Sequence, residues 1–211
     1  MAFNCNPPTF EQVRVTIQWL LGVTIAGWLI SLAVITYGPS DLNFHVTEAS
    51  LTKFNLTGNN TLSYKLEAKI ASRNPNKKVI VHYRVITANA RYKRTKFASL
   101  NLTSFDQGHK NTTFINLKFE GKSVIKLKPK QLGEYNEETR LGIYHHLAID
   151  LDFTIKYKFG FHKTGRFKPP IVHCSPLSLS LITSNGNSSS SPPSFHVTKC
   201  DAGFFFRNRG R

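Results

Sequence analysis

Acidic side chains are scarce: 12 Asp and Glu stand against 28 Lys and Arg, so 211 residues carry a formal charge of +16. The few carboxylates are dispersed, and Asp150 and Asp152 share one face of an alternating stretch, where a solvated pair is expected rather than an acid/base dyad. Cysteine is scarcer still, with three in the chain, and no Cys or carboxylate stands at ligand spacing to the adjacent His145 and His146, which argues against a metal site. His145 and His146 are adjacent, so on a strand they would point to opposite faces. Nucleophile elbows of the GxSxG type are missing, and Gly121-Lys122-Ser123 has Asn116 where a phosphate loop needs its first glycine, so it reads as a hairpin turn. Neither an enzyme, a metal nor a cofactor is expected.

What is present begins with one long uncharged run, VTIQWLLGVTIAGWLISLAVITY, over residues 15–37. As a helix it would reach roughly 34 Å, enough for a hydrocarbon core of about 30 Å. It exceeds the apolar core of a cleaved signal peptide, about 7–15 residues, and lacks the polar stripe of a buried soluble helix. Residues 1–14 are read as a short cytosolic arm, 15–37 as an uncleaved signal anchor and 42–211 as one outside domain. Arg14 is the nearest charge on the N-terminal flank, whereas the first Lys beyond the run is Lys53, which favours an inside N-terminus.

Asn-x-Ser/Thr acceptors at Asn55, Asn59, Asn101, Asn111 and Asn187 all follow the apolar run, as glycosylation candidates of a luminal or extracellular domain should. Cys174 and Cys200 fall in the same region, and in an oxidising compartment their pairing would close a loop of about 27 residues, worth roughly 3.5 kcal/mol. That loop contains ITSNGNSSSSPPS (182–194), which has little means of ordering itself. Cys5 sits alone in the N-terminal arm and is read as a spare thiol, with palmitoylation the alternative.

The body reads as strands. Ile149, Leu151, Phe153, Ile155, Tyr157, Phe159 and Phe161 alternate with polar or small residues, as do Leu62, Tyr64, Leu66, Ala68 and Ile70, and Val79, Val81, Tyr83 and Val85. FINLKF and SVIKL supply shorter pieces, and helical periodicity is nearly absent after the N-terminal run. The economical architecture is an all-β antiparallel sandwich of the immunoglobulin or fibronectin-III kind, with a small barrel as runner-up. In ASRNPNKKVIVHYR (71–84), Asn74, Pro75 and Asn76 then form a reversal between two strands, leaving Lys77 and Lys78 as solvated tip charges. Tyr92-Lys93-Arg94 and Lys156-Tyr157-Lys158 mix bases with aromatics, but alternation turns the rings inward and leaves only the cations outside. Nucleic acid is not expected in that compartment; acidic polysaccharide, lipid headgroups or an acidic protein suit the positive surface better.

The ordered motifs FNLT (54–57), SRNPNKK (72–78), QGHKNTT (107–113), KFGFHKTGRFKPPIVHC (158–174) and FHVTKC (195–200) together resemble the plant NDR/HIN-like proteins, the harpin-induced and non-race-specific disease-resistance group. The resemblance runs from the apolar segment to Cys200. It implies a type-2 late embryogenesis abundant domain, a β-sandwich on one N-terminal anchor at the plasma membrane, tied to defence signalling or membrane-to-wall contact. Anchor, sequons and charge point to a cell-wall polyanion or a receptor protein as partner; the resemblance and the many aromatics leave a stress-protective or lipid-binding module as the alternative. Asn74, Pro75 and Asn76 occupy the family's turn, and Gln107, Gly108, His109, Lys110, Asn111, Thr112 and Thr113 its second motif, neither implying catalysis. Phe204, Phe205 and Phe206 form an unusual tail, a candidate partner- or membrane-touching element.

Overall fold

The computed structural model describes residues 10–37, 39–182 and 195–209. Cys5, Asn187 and nearly all of the Ser/Pro-rich stretch lie outside them. Helix α1 (Phe10–Tyr37) starts five residues before the uncharged run and is apolar on every side, with Trp19 and Trp28 both well exposed. Its stretch Phe10–Leu32 is long and apolar enough to cross a membrane.

The second compact unit is Ser40–Arg211. Its elements are β1 (Asn43–Leu56), β2 (Thr61–Arg73), β3 (Val79–Tyr92), β4 (Thr95–Leu102), β5 (Phe105–Gln107), β6 (Thr112–Val124), α2 (Pro129–Leu141), β7 (Ile143–Phe159), β8 (His162–Lys163), β9 (Val172–Ser180) and β10 (Thr198–Lys199). One sheet runs β10-β1-β2-β6; the other runs β4-β3-β7-β8, with β5 also on β3 and β9 also on β7. All named strand pairs are antiparallel. The chain is therefore an all-β sandwich behind one apolar helix.

Alternation dictates the core. Leu62, Leu66 and Ile70 of β2 face Ile149, Phe153 and Ile155 of β7 across an interior filled with rings: Phe44 lies 5.7 Å from Phe153 and 5.4 Å from Phe205, and Phe54 lies 5.2 Å from Tyr92 and 4.8 Å from Tyr144. Each fully buried ring of this size contributes roughly 2–3 kcal/mol relative to an exposed one. On the outer face of the first sheet, Lys65–Glu120, Lys69–Glu48 and Lys118–Glu67 pair at 2.9–3.4 Å. Such exposed pairs add little stability.

The structure corrects several expectations. Val85 does not follow Tyr83 inward: a bulge between them sends Val85 to solvent and brings Ile86 into the core. FINLKF and SVIKL are not separate pieces, because β6 runs unbroken to Val124 and Gly121-Lys122-Ser123 is strand opposite Tyr64, Ser63 and Leu62, not a hairpin turn. His145 and His146 sit at a bulge in β7 and are both exposed rather than on opposite faces. Asp150 is not solvated; it is 6% exposed and held by Arg91 and His173. Lys93 is not outside with the other cations but buried. Phe161 lies beyond the end of β7 and is fully exposed. The Phe tail is mostly internal: Phe205 packs on Phe44 and Phe153, Phe206 lies 4.9 Å from Tyr157, and only Phe204 stands out. Finally, α2 was not visible in the pattern. Pro129 opens it, Lys128 N–H donates to Gln131 Oε1 at 2.9 Å, and Gly142 in the left-handed conformation (φ 69°) ends it.

Candidate functional site

The two family-like motifs meet at the end of the sandwich where β1 begins. Asn74 is wholly buried; its Nδ2 donates to Val79 O (2.8 Å) and Gly108 O (2.9 Å), and its Oδ1 accepts from Asn76 N and Asn76 Nδ2, both at 3.0 Å. Asn76 then clasps Ser40 through two bonds, Ser40 N–H to Oδ1 (2.7 Å) and Nδ2 to Ser40 O (2.6 Å). From the second motif, Gln107 Nε2 donates to Ser72 O (2.7 Å) and Asn111 O (3.2 Å), while its Oε1 accepts from Tyr83 OH at 3.2 Å. Backbone bonds Asn74 N–H to Asn111 O and Lys110 N–H to Asn76 O complete the closure. The amide side chains that the turn buries thereby have partners for both nitrogen and oxygen. Pro75 supplies rigidity, and Lys77 and Lys78 remain exposed as the turn reading expects. Burial pushes the Tyr83 hydroxyl well above the ordinary tyrosine range. The amide side chains of Asn74, Asn76 and Gln107 are all spent on holding the two motifs together.

The opposite end is built from charge. Lys93 and Arg94 form the two-residue turn between β3 and β4, both left-handed at φ 46° and 72°, conformations usually left to Asn and Gly. Gln131 Nε2 of α2 donates to Lys93 O at 3.0 Å, and Lys93 N–H donates to His146 O at 3.2 Å. Lys93 Nζ reaches Glu134 (2.6 Å) and Glu138 (3.2 Å), and Tyr92 OH donates to Glu138 at 2.5 Å. Burial first, and the Glu138 contact second, drive the Tyr92 hydroxyl far above its usual range. The hydrogen bond from Lys93, with Lys130 and His146 nearby, holds the Glu134 carboxyl below the usual carboxylate range. Around this core opens a cleft of about 820 Å³ lined by Arg91, Lys93, Arg94, Lys130, Glu134 and His146 among others. Arg94 and Lys130 are exposed and have no carboxylate within ion-pair distance among the described residues. His146 is left-handed as well (φ 59°), so three strained non-glycine residues border one cleft.

Of the glycosylation candidates, Asn55, Asn59, Asn101 and Asn111 are all exposed. Asn101 Oδ1 accepts from Thr87 Oγ1 at 3.1 Å, and Asn59 Oδ1 accepts from Thr57 Oγ1. Cys174 and Cys200 are joined in a buried disulfide with Cα atoms 4.2 Å apart. Asp150 binds Arg91 Nη2 at 3.0 Å and His173 Nδ1 at 2.8 Å, while Asp152 pairs with Arg209 at 3.1 Å, so the two carboxylates serve separate ion pairs. Among the described residues no group of three His, Cys, Asp or Glu side chains stands ready for a metal ion. The NPN turn was legible from sequence; the cleft was not, because its residues come from β3 and the turn after it, α2, β7 and β9.

No model of a protein family matches the sequence. Individual relatives do. The chain is 36% identical to NDR1/HIN1-like protein 10 of Arabidopsis thaliana over 95% of its own length and 85% of that protein's. NDR1/HIN1-like protein 3 of the same plant is 38% identical, over 92% of this chain and 79% of that protein. The chain belongs to the NDR1/HIN1-like family. NDR1/HIN1-like protein 2 agrees at 34%, over 82% of this chain and 68% of that protein. A crystal structure from Archaeoglobus fulgidus and a solution structure from Arabidopsis thaliana align with TM-scores of 0.30 and 0.32, at 11% and 14% identity. They cover 98% and 87% of their own chains and 65% and 71% of this one.

Proposed function

We propose that this NDR1/HIN1-like chain is a non-enzymatic, single-pass protein of the plasma membrane. Its C-terminal sandwich is extracellular and acts in plant defence or membrane-to-wall contact by binding an acidic polysaccharide. The observation that carries the reading is the cleft at the Tyr92 end, where Arg94 and Lys130 stand exposed and unpaired in front of a buried Lys93. It lies at the far end of β3 from the residues bonded to Ser40, about 40 Å away for a strand of 14 residues. An apolar helix, exposed sequons and a buried disulfide support the compartment. The alternative, a stress-protective sandwich holding a lipid between its sheets, has less support, because the rings of Phe44, Phe54, Tyr92, Tyr144 and Phe153 occupy the space that ligand would need.

Binding of polygalacturonate by the full chain in detergent micelles is expected to weaken as salt rises and by about tenfold in Arg94→Glu/Lys130→Glu, with an unchanged unfolding midpoint. Affinity indifferent to both salt and substitution would sink the cleft as the site. Replacing Asn55, Asn101 and Asn111 by Gln should abolish most of a glycosidase-sensitive mass shift; a C-terminal domain found on the cytosolic side would end the surface reading.

A further inference from the structure

The Ser40 end of the sandwich carries a second surface, separate from the cleft. β7 and β8 are joined by Gly160 and Phe161, and Gly160 takes the left-handed conformation that this tight turn needs (φ 56°). Phe161 at the tip is 100% exposed. Behind it, Lys158 stands directly opposite Lys163 and Phe159 opposite His162. Like charges in that position destabilise a strand pair unless an anion relieves them. Gly160 N–H donates to Lys78 O at 3.2 Å, which sets the exposed Lys77 and Lys78 beside the tip. None of Lys77, Lys78, Lys158 or Lys163 has a carboxylate within ion-pair distance among the described residues. Asp41 and Asp201 stand instead with Lys199 around a shallow groove that also includes Gly203, and Phe204 next to it is a second exposed ring.

Chain connectivity decides what this surface meets. Asn76 of the same turn holds Ser40 by two hydrogen bonds, and Ser40 follows Tyr37, the last residue of α1, by three positions. Three residues of chain reach at most about 11 Å. A membrane-spanning α1 therefore keeps this end of the sandwich within reach of lipid headgroups. An exposed ring surrounded by unpaired lysines is the chemistry of an interfacial contact, with the apolar group seated at the acyl boundary and the cations on anionic headgroups. We infer that the Phe161 hairpin and Lys77-Lys78 form a peripheral lipid-binding site, which docks the sandwich on an anionic bilayer surface next to its own anchor. The inference rests on α1 being an anchor, not on the polysaccharide reading.

The test uses the full chain in nanodiscs containing brominated phosphatidylcholine, with and without phosphatidylglycerol. In the unaltered chain, quenching of Trp19 and Trp28, the two indoles present, reports insertion of α1. In a second chain with Trp19→Phe, Trp28→Phe and Phe161→Trp, the single indole reports the hairpin. The expected result is quenching of that indole in anionic discs, and its loss on adding Lys78→Glu/Lys163→Glu with the near-ultraviolet dichroism of the fold intact. Quenching of the native indoles without quenching at position 161 overturns the lipid site and leaves the anchor. Equal quenching in neutral discs, unmoved by the lysine reversals, overturns the anionic surface as the ligand, and no quenching in either chain removes anchor and site together.

Discussion

The Ser40 end and the Tyr92 end of the sandwich both close over the rims of two sheets, but with different chemistry. At the first, neutral amides do it: Asn74, Asn76 and Gln107 are satisfied by backbone groups and by one another. At the second, a buried lysine sits between Glu134 and Glu138 with a tyrosine completing the network. A neutral knot is indifferent to salt and to pH across the physiological range. An ionic one is costly to desolvate and sensitive to both. The closure at the Ser40 end is thus made of neutral groups, while the closure beside the cleft is made of groups that answer to charge.

Breaking the ionic end should cost most. Lys93→Met leaves Glu138 buried without its cation, and a loss of about 3–5 kcal/mol is expected in urea unfolding followed by near-ultraviolet dichroism. A loss below about 1 kcal/mol would show that the cluster is ornamental to stability. Breaking the neutral end comes next: Asn74→Ala strips partners from Val79 O, Gly108 O and Asn76 N–H and should cost about 2–3 kcal/mol, with little dependence on salt. The smallest effect separates the ends by pH. Tyr83 and Tyr92 both have hydroxyls raised by burial, so each favours the folded state fully below the unfolded tyrosine value of about 10 and loses that contribution as pH climbs beyond it. Alkaline unfolding should set in above about pH 10 and be delayed more by Tyr92→Phe than by Tyr83→Phe, because Glu138 adds to the burial effect only at Tyr92. Identical profiles would erase the distinction.

What could be read from the sequence follows from how local each cause is. The alternation in β2 and β7 needs only neighbours two apart, and Leu62 to Ile70 and Ile149 to Ile155 are buried as that pattern requires. The NPN reversal is likewise local, since Asn76 N–H bonds the side chain two residues before it. Its burial was not local: Asn74 needs Gly108, Asn76 needs Ser40, and these lie over 30 positions away. Helix α2 escaped because it buries just Tyr135 and Glu138, leaving no apolar stripe for periodicity to reveal. Lys93 escaped for a related reason. Alternation places its side chain opposite Tyr92, but the left-handed turn and the carboxylates of α2 fold it inward. Val85 shows the reverse limit, where a bulge breaks the period inside an otherwise regular strand.

The double bond between Ser40 and Asn76 has a mechanical side. A pull transmitted through α1 enters the sandwich at Ser40, and the first groups to bear it are two short hydrogen bonds to a residue already locked by Asn74. Past them the load passes along β1, which is laddered to β2 from Asn43 to Leu56 and must slide against the whole ladder rather than unzip one rung at a time. If an opposing load is applied at the Lys93 hairpin, it arrives on the other sheet and is carried as shear through the packed aromatic interior.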